Sequence, residues 1–344
     1  MVDLDRLPLV FTRAGALDLG VTRARFDRLV ARGELLLVAP SHFADAVRWA
    51  TADRASRNLG LAVAAAGAFD GAVLSHTSAA LWWGLPSPRH VPARPELTVP
   101  LSLRRSDDSD WVRVLRCGLP PGQVLTQEGV RVTTLARTAV DCLRSLPLAD
   151  SLPIADVAVR CGATVGELVD VRRGQARWPG IRSARHGIGL VDGRRESPLE
   201  SSSVARLDGW GLPHPLPQVE VYDELGELIG RVDLFWRSLR VAGEADGLGK
   251  FRGDFDGDRS ARAVADRLIA ADERAGRLRE VGLGVVRWGA RALRRPDLLA
   301  ARIRRAAPSG PLRARLVCGP CRQELDDCAC PPALRLSDRA RSAG

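Results

Sequence analysis

The sequence predicts an α+β, multidomain protein, and three observations carry that expectation. A helix-turn-helix pattern closed by a short hairpin occupies residues 1–45, and helices alternate with short strands over residues 46–175 in an α/β middle domain. Residues 198–306 then run helix, strand hairpin, long helix, strand and helix, a second α/β domain. At 344 residues the chain is too long for one hydrophobic core and comfortable for two or three. Residues 176–197, rich in Arg and Gly, read as a linker around one helix. The Pro-, Arg- and Cys-rich residues 307–344 read as a tail with little regular structure.

Each element has a local reason. Ala16 and Leu17 sit on a short first helix, Gly20 makes the tight turn, and Thr22 is a good N-cap for a second helix. On that helix Phe26, Leu29 and Val30 are spaced to face a core, which leaves Arg23, Arg25, Arg28 and Arg32 on or near the exposed side. Such a helix suits the major groove of double-stranded DNA, with Arg available for guanine edges or phosphates. Glu34 to Val38 and Ser41 to Ala44 would form the wing of a winged helix.

In the middle domain, Asp53 to Ala66, Ser78 to Trp83 and Ala136 to Leu146 read as helices, the last stopped by Pro147. Glu96 to Val99, Val112 to Leu115 and Val130 to Val132 read as strands. Pro153 to Arg160 and Val165 to Arg172 complete the helices.

The hairpin of the third domain carries the densest chemistry. A two-residue turn at Arg237-Ser238 would pair Trp236 with Leu239 and Asp233 with Ala242. Val232, Leu234, Trp236, Leu239 and Val241 then share one apolar face. Asp233, Glu244 and Asp246 share the other, with Asp233 and Glu244 diagonal neighbours. Three such carboxylates repel one another unless a cation sits among them, and oxygen ligands suit Mg²⁺ or Mn²⁺. Lys250, the single lysine of the chain, lies four residues beyond Asp246, and Glu200, in a helix opened by Ser197-Pro198, offers a fourth acid. From Arg287 to Arg315 the chain is dense in Arg with Asp297 as its one acid, which suits a phosphate-tracking surface.

The bulk numbers fit a polyanionic partner. Net charge is +10 and the pI about 10.3, and clustered cations gain by displacing counterions from phosphates. No apolar run is long enough to span a bilayer, and the opening MVDLDRLPLVFTRAG lacks the basic-then-apolar layout of a signal peptide. A cytoplasmic protein with no membrane partner and no organic cofactor is expected. Cys117, Cys142 and Cys161 read as reduced core thiols. Cys318-Gly-Pro-Cys321 and Cys328-Ala-Cys330 read as half-sites for a tetrahedral, structural Zn²⁺.

Two resemblances add to this reading. Residues 8–44, together with Leu74 to Leu85 and Gly129 to Asp141, resemble AbiEi-type antitoxins of type IV toxin–antitoxin systems. That resemblance implies a DNA-binding winged helix that represses transcription, and a cognate toxin protein as a possible partner. The wing tip, Ala39-Pro40-Ser41, departs from the pattern by lacking basic residues, and His76 and Asp141 are expected to cap or pack. Ser197-Pro-Leu-Glu200-Ser, Arg231-Val-Asp233, Glu244-Ala-Asp246-Gly247 and Leu278 to Trp288 resemble the PD-(D/E)XK, restriction-endonuclease-like fold in its very-short-patch-repair branch. This second resemblance implies Asp233 and Glu244 as Mg²⁺ ligands and Glu200 as an auxiliary acid. Asp246 stands where the fold usually has its lysine, so Lys250 would activate the attacking water, and Ala275-Gly276 replaces acids expected in the late helix. Three readings follow: a DNA-binding regulator of antitoxin type fused to a nuclease-like domain, a Mg²⁺-dependent endonuclease, and a toxin-sequestering interaction module.

Overall fold

The computed structural model describes residues 4–69, 71–101, 109–246 and 261–328. Among these are twelve α-helices and three sheets, divided between two compact units. The N-terminal unit takes Met1–Ser145 with Cys161–Ile181, and the C-terminal unit takes Leu146–Arg160 with Arg182–Gly344. No described helix is long and apolar enough to cross a membrane.

The N-terminal unit begins with β1 (Phe11–Thr12), α1 (Arg13–Asp18), α2 (Arg23–Ala31), β2 (Leu35–Ala39) and β3 (His42–Asp45). Thr12 and Thr22 cap the two helices, their hydroxyls accepting from Gly15 N at 3.1 Å and Arg25 N at 3.3 Å. Gly20, at φ 93°, makes the turn between them. Ala16, Val21, Phe26, Leu29 and Leu35 close a small core, with Phe43 edge-on to Phe26 at 5.0 Å. Val30, expected inward, is exposed instead, because Phe26 and Leu29 already fill the narrow core stripe. The strands form a sheet in the order β1-β3-β2.

Next come α3 (Ala46–Thr51), α4 (Arg54–Ala68), β4 (Val73–Leu74), α5 (His76–Trp82), β5 (Glu96–Val99), β6 (Arg113–Arg116), β7 (Val124–Gln127), β8 (Val130–Thr133) and α6 (Leu135–Ser145). The five strands form a mixed sheet in the order β6-β5-β4-β8-β7, with β4 parallel to β8 and β5 parallel to β6. After α7 (Leu148–Arg160), which belongs to the other unit, α8 (Val165–Gly174) returns to this one. The expected middle domain, residues 46–175, is thus interrupted by α7.

The C-terminal unit adds α9 (Ile181–Ile188), α10 (Pro198–Leu207), β9 (Leu216–Tyr222), β10 (Leu228–Trp236), β11 (Val241–Ala245), α11 (Ala261–Glu280), β12 (Gly284–Trp288), α12 (Pro296–Arg305) and β13 (Arg315–Cys318). The sheet order is β12-β11-β10-β9-β13, parallel between β11 and β12 and antiparallel elsewhere. On one face, Leu278 of α11 packs with Phe235, Ala242 and Val219. On the other, Trp236 and Trp288 lie 6.1 Å apart, and Trp288 Nε1 donates to Ser203 Oγ of α10 at 2.8 Å. Gly243 is required between them, since a Cβ there would sit 2.6 Å from Trp236 and 2.7 Å from Trp288.

Several expectations are corrected. Helix α7 starts at Leu148, not Pro153; Pro153 lies inside it and cannot donate to Ala149 O, and Ser202 Oγ of α10 donates there instead at 2.8 Å. Residues 176–197 are not a linker: Ala184, Ile188, Val191 and Arg195 are buried. The tail boundary at 306 cuts off β13, which pairs with β9 along Tyr222 to Val219. The hairpin turn spans Arg237 to Arg240, closed by Arg240 in the left-handed region (φ 52°), so Trp236 pairs with Val241 and Phe235 with Ala242. Continuing that register sets Asp233 directly opposite Glu244 rather than diagonal to it.

One buried ion pair ties α7 to the chain before α10. Arg195 Nε and Nη2 donate to Asp156 Oδ2 and Oδ1 at 2.6 and 2.8 Å, and neither side chain is exposed. Burial pushes the Asp156 carboxyl above its usual range despite the Arg195 charge. The pair therefore fixes geometry at a net cost in desolvation. Arg195→Met alone should lower stability by about 3–5 kcal/mol, while Arg195→Met with Asp156→Leu should recover most of the loss. Urea unfolding followed by circular dichroism checks both; equal losses in the single and double variants would show that the charge pairing is not the cause.

Candidate functional site

Four groups of residues bear chemistry, and each can be built from its elements. On α2, Thr22 fixes the start, Phe26 and Leu29 fix the inward face, and the arginines point away. Arg23 and Arg28 are exposed and make no ion pair among the described residues. Arg25 is half-buried and engaged, and Arg32 lies 3.8 Å from Glu34. Asp27, the one acid on this helix, is held by Arg13 at 2.7 Å. The hairpin tip is uncharged, and Leu36 and Leu37 of β2 are exposed.

The acidic residues of the C-terminal unit are brought to one region but do not form an open cluster. Asp233 Oδ2 accepts from Ala245 N at 2.8 Å. Glu244, 2% exposed, lies beneath α11, where Arg274 Nη2 donates to its Oε1 at 2.9 Å. Arg287 Nε of β12 stands 3.3 Å from Glu244 Oε2 and donates to Asp246 Oδ2 at 2.9 Å. Two guanidiniums therefore supply the positive charge that these carboxylates need. No three of the described acids bring oxygens together at metal-binding distances. This arrangement does not fit the Mg²⁺ or Mn²⁺ centre expected from the sequence. Lys250 lies outside the described residues.

Glu200 is buried and fully used. It sits at the third position of α10, where Oε1 accepts from Ser197 Oγ at 2.7 Å and Oε2 from Glu196 N at 3.0 Å. Gln218 Nε2 donates to Oε2 at 2.9 Å. Its position serves the helix start and the β9 contact, away from any role as a free auxiliary acid.

The cysteine group does converge. The sulfurs of Cys318, Cys321 and Cys328 lie within 4.8 Å of one another, with Cys321 and Cys328 at 3.4 Å. Four thiolates around one Zn²⁺ stand about 3.8 Å apart, so the spacing suits that ion. β13 delivers Cys318, and the turn after it is closed by Arg322 N donating to Cys318 O at 2.8 Å. Arg194 Nη1 approaches Cys318 Sγ at 4.0 Å and would steady a thiolate. Cys330, the expected fourth ligand, lies outside the described residues.

The sequence left His76 and Asp141 without partners, and the structure supplies them. Asp141 is completely buried and accepts from Arg137 Nε at 2.7 Å, Arg144 Nη2 at 3.0 Å and Gln175 Nε2 at 3.0 Å. Both guanidiniums stack on Trp178, at 5.1 and 5.0 Å. His76 Nδ1 lies 3.0 Å from Ser75 Oγ and 4.0 Å from Asp141 Oδ2. Burial holds the His76 imidazole below its ordinary pKa. Burial also works against the Asp141 charge, but His76, Arg137 and Arg144 outweigh it and hold the carboxyl below its usual range.

No family's sequence model matches the chain. Two curated proteins of Mycobacterium tuberculosis, Uncharacterized protein Rv2248 of strain H37Rv and Uncharacterized protein MT2308 of strain CDC 1551, are each 32% identical over 182 residues. The match covers 52% of this chain and 62% of those proteins, so it spans less than two thirds of their length. Among solved structures, the RV2827C protein of Mycobacterium tuberculosis aligns with 54% of this chain and 72% of its own, at 18% identity and a TM-score of 0.34.

Two outcomes follow. Protein purified without chelator should carry about one zinc per chain, and Cys318→Ser should lose it, as read by metal analysis. The N-terminal unit should weaken in acid. A buried His76 resists protonation that the unfolded chain accepts, so stability falls as pH drops below the free-histidine value of about 6.5. The lowered Asp141 adds a further loss below the ordinary carboxylate range. His76→Gln should flatten the first part of the profile, measured as melting temperature against pH, and leave the second.

Proposed function

We propose that the chain is a DNA-binding regulator of antitoxin type. In this reading the N-terminal helices and hairpin act as a winged helix with α2 as its reader, and the C-terminal unit is a nuclease-like fold used as a platform rather than a catalyst. The observation that carries it is α2 itself: a capped, well-packed helix whose exposed Arg23 and Arg28 have no ion-pair partner among the described residues. Unpaired guanidiniums on a rigid helix are the groups that gain most from phosphate or guanine contact. The uncharged hairpin tip leaves that work to the helix.

The endonuclease reading needs carboxylates able to receive a cation. Glu244 and Asp246 already answer Arg274 and Arg287, which supports the platform over the catalyst. A guanidinium neutralises a carboxylate but cannot offer an exchangeable position to a water or a phosphate oxygen.

Binding to duplex DNA should weaken steeply with salt. Arg23→Ala with Arg28→Ala should lower the slope of log affinity against log salt by roughly two, about 0.9 per lost phosphate contact, as fluorescence anisotropy would read. An unchanged slope would remove α2 as the reader. Incubation with plasmid and Mg²⁺ or Mn²⁺ should give no nicking. Cleavage that disappears in Asp233→Asn would select the endonuclease instead.

A further inference from the structure

The N-terminal unit contains a cavity of about 820 Å³. Its wall includes His76 at the start of α5, Arg113, Leu115 and Arg116 of β6, Arg144 at the end of α6, and Trp178. Three of the lining side chains are guanidiniums, and no described lining residue is a carboxylate. Pockets of about 300–1,000 Å³ are the size that small ligands fill.

The positive wall is fixed rather than mobile. Arg144, whose side chain is 9% exposed, is held by Asp141, by Pro179 O at 2.8 Å and by the Trp178 ring. Asp141 answers both Arg137 and Arg144, so one buried carboxylate balances only one of two guanidiniums. Arg113 Nη1 donates to Glu96 Oε1 at 3.1 Å while half of its side chain stays exposed. An excess of positive charge thus remains behind and along the cavity.

His76 is built for the same wall. It is a non-glycine residue in the left-handed region (φ 50°), a conformation retained where the surroundings require it. Thr98 Oγ1 donates to Ser75 Oγ at 2.8 Å, and Ser75 Oγ lies 3.0 Å from His76 Nδ1. With Ser75 donating to Nδ1, the neutral imidazole carries its proton on Nε2, which has no protein partner among the described residues. His76 therefore offers the cavity a neutral N–H donor.

We propose that this cavity binds a small organic phosphate, its phosphate held by Arg113 and the His76 Nε2–H, with Arg116, which also donates to Leu101 O at 3.0 Å, adding charge at the rim, and its remainder lying against Leu101 and Leu115. None of the α2 arginines lines the cavity, so this site is independent of the DNA-reading surface.

Calorimetric titration of the full chain with AMP, inorganic pyrophosphate and adenosine tests it. AMP and pyrophosphate should bind, and adenosine should not. Arg113→Ser with Arg116→Ser should weaken AMP by roughly tenfold or more. Because Arg113 also answers the buried Glu96, the same pair of changes is made with Glu96→Gln, and that triple variant should keep the melting temperature while still losing AMP. The chain has five histidines, so AMP should move one imidazole signal in NMR spectra, and that signal should be missing in His76→Gln. Absence of binding by both phosphates at millimolar concentration would overturn the proposal. So would affinity unchanged in the double variant, or adenosine binding as well as AMP. Displacement of AMP by a duplex oligonucleotide that persists in Arg23→Ala with Arg28→Ala would make the cavity part of a nucleic-acid surface and also overturn it.

Discussion

Burial of carboxylates against guanidiniums is the constraint on which both units depend. Asp141 is closed by Arg137 and Arg144, Asp156 by Arg195, and Glu244 by Arg274 and Arg287. Each acid lies where an unpaired charge would cost several kcal/mol, roughly the whole margin of a domain's stability. The chain meets that cost almost wholly with Arg, whose charge persists when buried. The outcome differs with the number of partners. Burial raises both carboxyls; His76, Arg137 and Arg144 together hold Asp141 below its ordinary pKa, whereas beside Arg195 burial still pushes Asp156 above it. The first network packs beside the buried His76, and the second holds α7 against residues 190–195.

The same pairing bears on what the acidic hairpin can do. Asp233 and Glu244 face each other across β10 and β11, an arrangement that suits a shared cation. Here α11 and β12 bring Arg274 and Arg287 to Glu244 and Asp246. Asp233 is used by Ala245 N, and Glu200 by the start of α10. Every acid of the expected set has thus been given a structural partner inside the fold. Only the group placed at Lys250 falls outside the described residues.

Much of the fold was legible because its signals are local. Thr22 and Asp53 announce helices by the hydroxyl or carboxylate that answers an orphan N–H, and Glu96 to Val99 is found at its own bounds. Non-local features were hidden. Arg195 sits in an Arg- and Gly-rich stretch that reads as surface, and nothing nearby signals that Asp156, 39 residues earlier, receives it. The hairpin turn was read two residues short because Arg240 takes a left-handed conformation usually announced by Gly or Asn. Arg274 and Arg287 were visible as arginines but not as partners of Glu244, since 30 and 43 residues separate them. The cavity wall draws on residues 76, 113, 115, 116, 144 and 178, so no sequence window contains it.

A basic protein whose cations are nearly all arginine has to keep them from being spent on its own acids. In this chain the sorting follows burial. The guanidiniums that meet Asp141, Asp156 and Glu244 are tied by short bonds and hold packing in place. Those on α2 are treated differently: Asp27, the one acid within that helix, is taken by Arg13 from outside it. That pairing spares Arg23, one turn before Asp27, from collapsing onto it; Arg28, the next residue along, faces another direction. The Arg13 side chain also lies over Phe26 at 5.5 Å, so the contact that removes the competing acid also braces the helix from its inner side. A substitution at Arg13 would therefore act on the proposed reading helix without touching its outer face, by returning Asp27 to Arg23.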